Sequence, residues 1–216
     1  MHKHNSYSSL SFSIGGTTPV LCDPKVNKRM FGARVMNTLA LNERISAGTP
    51  FEFDLENRQA KFLKSWKIKS VSISGDSTIV TLYRTSVTPV LNNNTILMVM
   101  PDTIDGTGKA DTCGVVTQEE NTYVVTLTTA SFDALSANKF LVEAKEVGSG
   151  KTIYCQPNNI STEDTIGGNV DTLVDVPRGE LYMFQNTIPA MPDVVKKSIG
   201  AGDVHIVWEN FNTAKD

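Results

Sequence analysis

Several groups of residues in this chain have types and spacings suited to chemistry. Gly106-Thr107-Gly108-Lys109 has the glycine–lysine ending of a phosphate-binding loop. In such a loop backbone N–H groups cradle the phosphates, the lysine reaches the outer ones, and a following Ser or Thr holds magnesium. Here Thr103 stands where the first glycine belongs and Ala110 where the hydroxyl belongs, so the stretch reads as a surface turn. Asp102, Asp105 and Asp111 offer carboxylates to a cation. A calcium loop, however, places its ligands at alternate positions and ends on a bidentate glutamate. The wider first spacing and Lys109 inside the run break that pattern. Aspartates bonding to nearby backbone N–H groups explain the same residues as turn formers.

The histidines are His2, His4 and His205. His205, between Val204 and Ile206, reads as a strand residue, and no GxSxG nucleophile elbow accompanies it. Glu119 and Glu120 are adjacent and loop-borne, so their side chains have no reason to converge on one substrate as paired glycosidase carboxyls do. Cys22, Cys113 and Cys155 are an odd set without a CxxC pair. That excludes a disulfide framework and a zinc site and leaves buried free thiols. Trp66, Trp208, Tyr83, Tyr123 and Tyr154 are the residue types that stack on sugar rings. At alternating strand positions they serve more often in cores or in protein interfaces, which favour aromatics. The residues thus imply no catalytic constellation, no cofactor and no metal.

The elements that position these residues are short. The chain has 216 residues, enough for one large domain, or one with structured arms, whose core needs no disulfides. Its formal net charge is −3. The densest basic stretches, Lys25–Arg29 and Lys61–Lys69, read as polar faces of turns or strands. Neither is the clustered basic face that binds nucleic acid. The longest apolar run, Ile96–Met100, is too short to cross a bilayer. The first residues carry one lysine and no long apolar core, unlike a secretion signal.

Residues 1–20 read as an N-terminal arm with Gly15-Gly16 and Pro19 as breakers. Tyr7, Leu10, Phe12 and Ile14 give it an alternating apolar face able to add as a strand. Residues 29–45 fit neither the helical nor the strand period. From Gly48 onward strands alternate with turns: Phe51–Phe53, a turn at Asp54–Asn57, then Ala60–Leu63. Trp66 and Ile68 share a face, and the apolar set shifts to Val71 and Ile73 after Lys69-Ser70. That one-residue phase change predicts a β-bulge. Ser74-Gly75-Asp76 turns the chain into Thr78–Arg84 as a hairpin. Ile96–Met100 reads as a buried strand, and Gly114–Thr117 with Tyr123–Thr128 as a second hairpin. Ser131–Asn138 has the best helical spacing, with Ser131 as N-cap. Phe140–Ala144, Glu180–Gln185 and Val204–Trp208 read as strands, residues 161–172 as a polar loop, and Pro189, Pro192 and Gly200 to Gly202 bound a short helix or turn between the last two strands.

The fold expected is mainly β: a compact sandwich or barrel of short strands, one or two short helices and the extended arm. The expected organisation is the arm (1–20), a main β domain (21–160), and a C-terminal loop and strands (161–216) that pack on it or extend it.

Three pieces resemble one family. They are the Ala47–Pro50 turn with Phe51–Asp54 and the Lys61–Lys64 strand; the Phe140–Ala144 strand, reached from a short helical link; and Pro157–Ile160 with the later Val176–Tyr182 strand. In order and spacing they resemble head fiber or head decoration proteins of tailed phages, especially phages of Bacteroidetes and the crAss-like group. The resemblance spans roughly residues 45–182 and carries no catalytic residues. It implies a non-enzymatic virion protein outside the capsid, assembled in the host cytoplasm, with a shell-stabilising or host-surface adhesion role. Its implied partners are the major capsid protein, other virion proteins and further copies of itself, a trimer favoured, with neither nucleic acid nor membrane insertion. The candidate interface residues are Tyr7, Leu10, Phe12, Ile14, Trp208 and Phe211. The rival reading is a carbohydrate-binding β-sandwich surface module.

Overall fold

Alternating apolar and polar residues bounded by Gly, Asn and Asp dictate short pleated strands, and the computed structural model has them throughout. It describes residues 20–22, 27–28, 32–168, 172–185, 187–200 and 204–209. The strands run β1 (Val20–Cys22), β2 (Asn27–Lys28), β3 (Ala33–Val35), β4 (Arg44–Ile45), β5 (Pro50–Asp54), β6 (Gln59–Phe62), β7 (Ser65–Ser74), β8 (Ser77–Tyr83), β9 (Ile96–Val99) and β10 (Gly108–Thr112). They continue as β11 (Val116–Gln118), β12 (Thr122–Thr128), β13 (Phe140–Glu143), β14 (Gly148–Lys151), β15 (Asn159–Ile160), β16 (Thr165–Ile166), β17 (Leu173–Val174), β18 (Pro177–Phe184) and β19 (Val204–Glu209). A single helix among the described residues, α1 (Asp193–Gly200), links the last two. The fold is mainly β.

The strands form an eight-stranded sheet in the order β11-β12-β8-β7-β13-β9-β10-β14 and a five-stranded sheet in the order β15-β5-β6-β3-β17. A four-stranded sheet has the order β1-β18-β19, with β2 also on β18, and β16 pairs with β4. Three apolar clusters fill the space between. The first gathers Leu63, Val142, Ala144, Ile160 and Leu181 with Val195 and Ile199 of α1. The second surrounds Trp66 and the third Phe51 and Phe62. Trp66 is sealed, and its indole N–H donates to the Pro89 carbonyl at 3.0 Å.

The bulge forms where the phase change places it: Ile68 pairs with Leu82, but Ser70 pairs with Thr81, leaving Lys69 unpaired on β7. Val71 therefore faces the same way as Val80 and Leu82, keeping one apolar face on both sides of the kink. The β7–β8 hairpin closes through Gly75 at φ +60° and Asp76. The Ala47–Pro50 turn also has a stereochemical reason. Gly48 sits at φ +83°, and a Cβ there would overlap the Ile188 side chain, so only glycine fits.

Five expectations are corrected. Ser131–Asn138 is not a helix. Among these residues only Thr129–Ser131 makes a 3-10 turn, and Phe132 is already extended. The segment is too short to repay nucleation, and tertiary bonds pull it elsewhere. Phe132 is buried in the Trp66 cluster, and the Asp133 carboxylate accepts the Lys109 N–H at 2.8 Å. The link into Phe140 is therefore not helical. Gly108 and Lys109 belong to β10 rather than to a surface turn, and Asp133 takes the backbone N–H that a phosphate would need. Lys61–Lys69 is not simply a polar face, because Lys64 is buried. The 161–172 stretch, read as a polar loop, contains β16, and Ser161 within it is fully buried.

Candidate functional site

The buried lysine lies at a seam. β6 ends at Phe62 and β7 begins at Ser65, so Leu63 and Lys64 alone carry the chain from the five-stranded to the eight-stranded sheet. Leu63 N–H donates to Pro50 O at 2.9 Å, extending one ladder, and Glu143 N–H donates to Lys64 O at 3.2 Å, extending the other. This register brings the Glu143 side chain, from the end of β13, to Lys64.

A third charge arrives from the loop before β4. Glu43 is anchored by its backbone: its N–H donates to Ala40 O at 2.9 Å and its carbonyl accepts from Gly167 N–H at 2.8 Å. Gly167 lies so close to the Ala40 carbonyl and Leu39 that no side chain fits there. Glu43 Oε1 accepts from Lys64 Nζ at 2.7 Å, and Oε2 accepts the Ala40 N–H at 2.9 Å. Glu143 Oε1 lies 3.9 Å from the same ammonium. The Lys64 and Glu43 side chains are only 7% and 5% exposed, against 17% for Glu143. Burial pushes the Glu143 carboxyl up, Lys64 pulls it down, and Glu43 pushes it up again.

This cluster lines a polar cleft of about 660 Å³. Its walls include Asn92, Asn93 and Asn94, Thr95, Ile96 and Tyr154. Burial, and next the charge of Glu143, raise the Tyr154 phenol above its ordinary titration range. A buried carboxyl of raised proton affinity beside a second carboxyl is the raw material of acid–base catalysis. Here Lys64 stands between them, and both oxygens of Glu43 are engaged. The arrangement suits holding a neutral group against the cleft floor better than attacking one.

The other residues singled out by type do not converge. Asp102 and Asp105 are exposed, and no group of three or more His, Cys, Asp or Glu among the described residues could hold a metal ion. His205 is exposed on β19, while His2 and His4 lie outside the described residues. Glu119 and Glu120 sit at the exposed β11–β12 turn, where their carbonyls accept from Arg84. Cys113 and Cys155 are buried free thiols, donating to Asn92 O and Lys61 O; Cys22 falls in β1. Trp66 and Tyr123 are core, whereas Tyr83 is exposed beneath the Lys69 ammonium at 5.9 Å.

Of the interface candidates, Tyr7, Leu10, Phe12, Ile14 and Phe211 lie outside the described residues. Trp208 is half-buried on β19 against the first cluster, with Lys196 Nζ 5.5 Å from its ring. The strand register nonetheless fixes where the flanking segments join. Val20, first in β1, pairs with Met183, and Glu209, last in β19, pairs with Phe184. Val20 and Glu209 therefore lie at the same end of β18, one on each side of it.

Glu43, Lys64 and Glu143 were missed as a group by the sequence reading. One signal was available. Phe62 and Leu63 are consecutive apolar residues that break the period of two, as happens where a strand leaves one core for another. A charge placed next in sequence sits at the seam. Compared with protein-family models, curated protein sequences and solved structures, the chain gives no significant match to any of them.

Proposed function

We propose that this chain is a virion structural protein, a head fiber or auxiliary decoration protein bound to the outside of a tailed-phage capsid, acting by attachment rather than catalysis. The observation that carries this reading is the common exit point of the two flanking segments. Tyr7, Leu10, Phe12 and Ile14 precede Val20, and Phe211 follows Glu209, and both strand ends adjoin one end of β18. Trp208 pairs with Met183 at that same end. Trp208 and the strand ends that adjoin the other candidates in sequence thus lie at one pole. The motif pieces that carry the family resemblance instead contribute Leu63, Val142, Ala144, Ile160 and Leu181 to one buried cluster. This supports a division into a rigid scaffold and an attaching pole.

In this reading the pole engages the major capsid protein, an arm strand adding to a sheet edge. Copies of the chain, a trimer favoured, gain strength by repetition across the shell. The remaining surface faces outward, toward the host or its glycans, and the particle is assembled in the host cytoplasm. The test is composition of purified heads from a phage that encodes this chain. Multiple copies retained on intact, tail-free heads are expected. Their absence from heads washed at physiological salt would end the proposal.

A further inference from the structure

The cleft above Lys64 has a lining that selects a ligand class. Its deepest charges cancel: Lys64 faces Glu43 at 2.7 Å, with both sealed from solvent. The other charged side chains of the lining are one acid, Glu143, 3.9 Å from the Lys64 ammonium, and one base, the exposed Lys145. The hydrogen-bonding groups nearer solvent are uncommitted. The side chains of Asn92 and Asn94 and the Tyr154 hydroxyl have no hydrogen-bond partner among the described residues, although Asn93 is spent on Val116 N–H. Apolar surface is interleaved with them, from Val90, Ile96 and the Tyr154 ring. The volume, about 660 Å³, lies within the span of small-molecule sites.

We infer that this cleft is a binding site for a neutral saccharide. Amides and a phenol supply the donors and acceptors that sugar hydroxyls require. The Tyr154 ring with Val90 and Ile96 supplies the apolar surface that the C–H faces of a pyranose cover. Glu143, whose burial raises its proton affinity, offers carboxyl oxygens as acceptors and, when protonated, a donor. The lining carries two basic side chains, Lys64 and Lys145, and two acidic ones, Glu43 and Glu143, so no charge is in excess to select an anion or a cation. The inference deepens the adhesive side of the proposed function and rests on that reading for its biological meaning.

Saturation-transfer NMR on the full-length protein tests it, using glucose, galactose, mannose, fucose and N-acetylglucosamine as probes, with spermidine and sulfate as charged controls. At least one sugar is expected to give a signal, and the controls none. Tyr154→Ala and Asn94→Ala are each expected to weaken binding by about tenfold or more, measured where circular dichroism shows the variant folded, since Tyr154 packs on the first cluster and Asn94 sits at φ +64°. Glu143→Gln, which keeps a donor and an acceptor, is expected to retain binding. No response to any sugar, a response that survives both alanine variants, or binding by spermidine that Glu143→Gln abolishes would each overturn the assignment. Copy number of the Tyr154→Ala protein on heads is a separate readout. It is expected to stay normal, so loss of sugar binding and loss of particle attachment are told apart.

Discussion

Lys64 Nζ lies 2.7 Å from Glu43 Oε1, and the pair is nearly sealed at the point where the chain passes from one sheet into the other. Removing one partner strands the other charge in a low-dielectric seam. Lys64→Met is expected to cost about 3–5 kcal/mol in urea denaturation. Lys64→Met combined with Glu43→Leu is expected to recover part of that loss, because Glu143 alone remains at the seam and can take up a proton. A double variant as unstable as the single one would show that the lysine acts through packing.

Glu143 gives the fold a pH dependence of defined sign. Burial raises its folded-state pKa above 4.5, its ordinary value. The folded protein therefore holds that proton more tightly than the unfolded chain. The stability it contributes is full below the unfolded value and is lost as pH rises through the folded one. Glu143→Gln cannot titrate. The denaturation midpoint of Glu143→Gln minus that of the native protein is expected to grow from acid to neutral pH. A flat difference would refute the assignment.

Gly48 is expected to tolerate no other residue. Gly48→Ala combines a backbone at φ +83° with a collision against Ile188. A loss of about 1–3 kcal/mol is expected from the backbone alone. Ile188→Ala removes the Cγ2 contact but keeps the Cβ that the new side chain would also strike, so the double variant should recover only part of the loss.

The thiols should be inert while the protein is folded. Burial pushes Cys155 well above the ordinary thiol range and Cys113 above it, and the thiolate is the reactive form. Alkylation mapped by mass spectrometry is expected to spare both until denaturant is added. Rapid native labelling of Cys155 would show that its pocket opens.

Removal of residues 1–19 leaves β1 whole, since that strand starts at Val20. The truncated protein is expected to keep its circular dichroism spectrum and lose occupancy on heads. Unchanged occupancy would take the arm out of the attaching pole.

Local features were legible in the sequence. The bulge at Lys69 follows from a one-residue phase change, and the turn at Gly75 from its composition. Both depend on neighbours within a few positions. Ser131–Asn138 had helical spacing, but Phe132 and Asp133 are claimed by partners far away in sequence, and tertiary contacts outweighed a weak propensity. The cleft was illegible for the same reason. Glu143 reaches Lys64 only through the register of β13 on β7, and Glu43 only through contacts with Ala40 and Gly167. No window along the chain contains that information.

β18 takes β1 on one side and β19 on the other, so partners from near the two ends of the described chain complete one sheet. Synthesis runs from the N-terminus, and β1 has no strand to pair with until β18 has been made. β19 is later still, because α1 must first fold back to set it parallel. Pairings this distant in sequence are slow to form. An incomplete nascent chain can build its hairpins but cannot finish this sheet. Any copy whose translation stopped before β19 thus lacks one strand of this sheet.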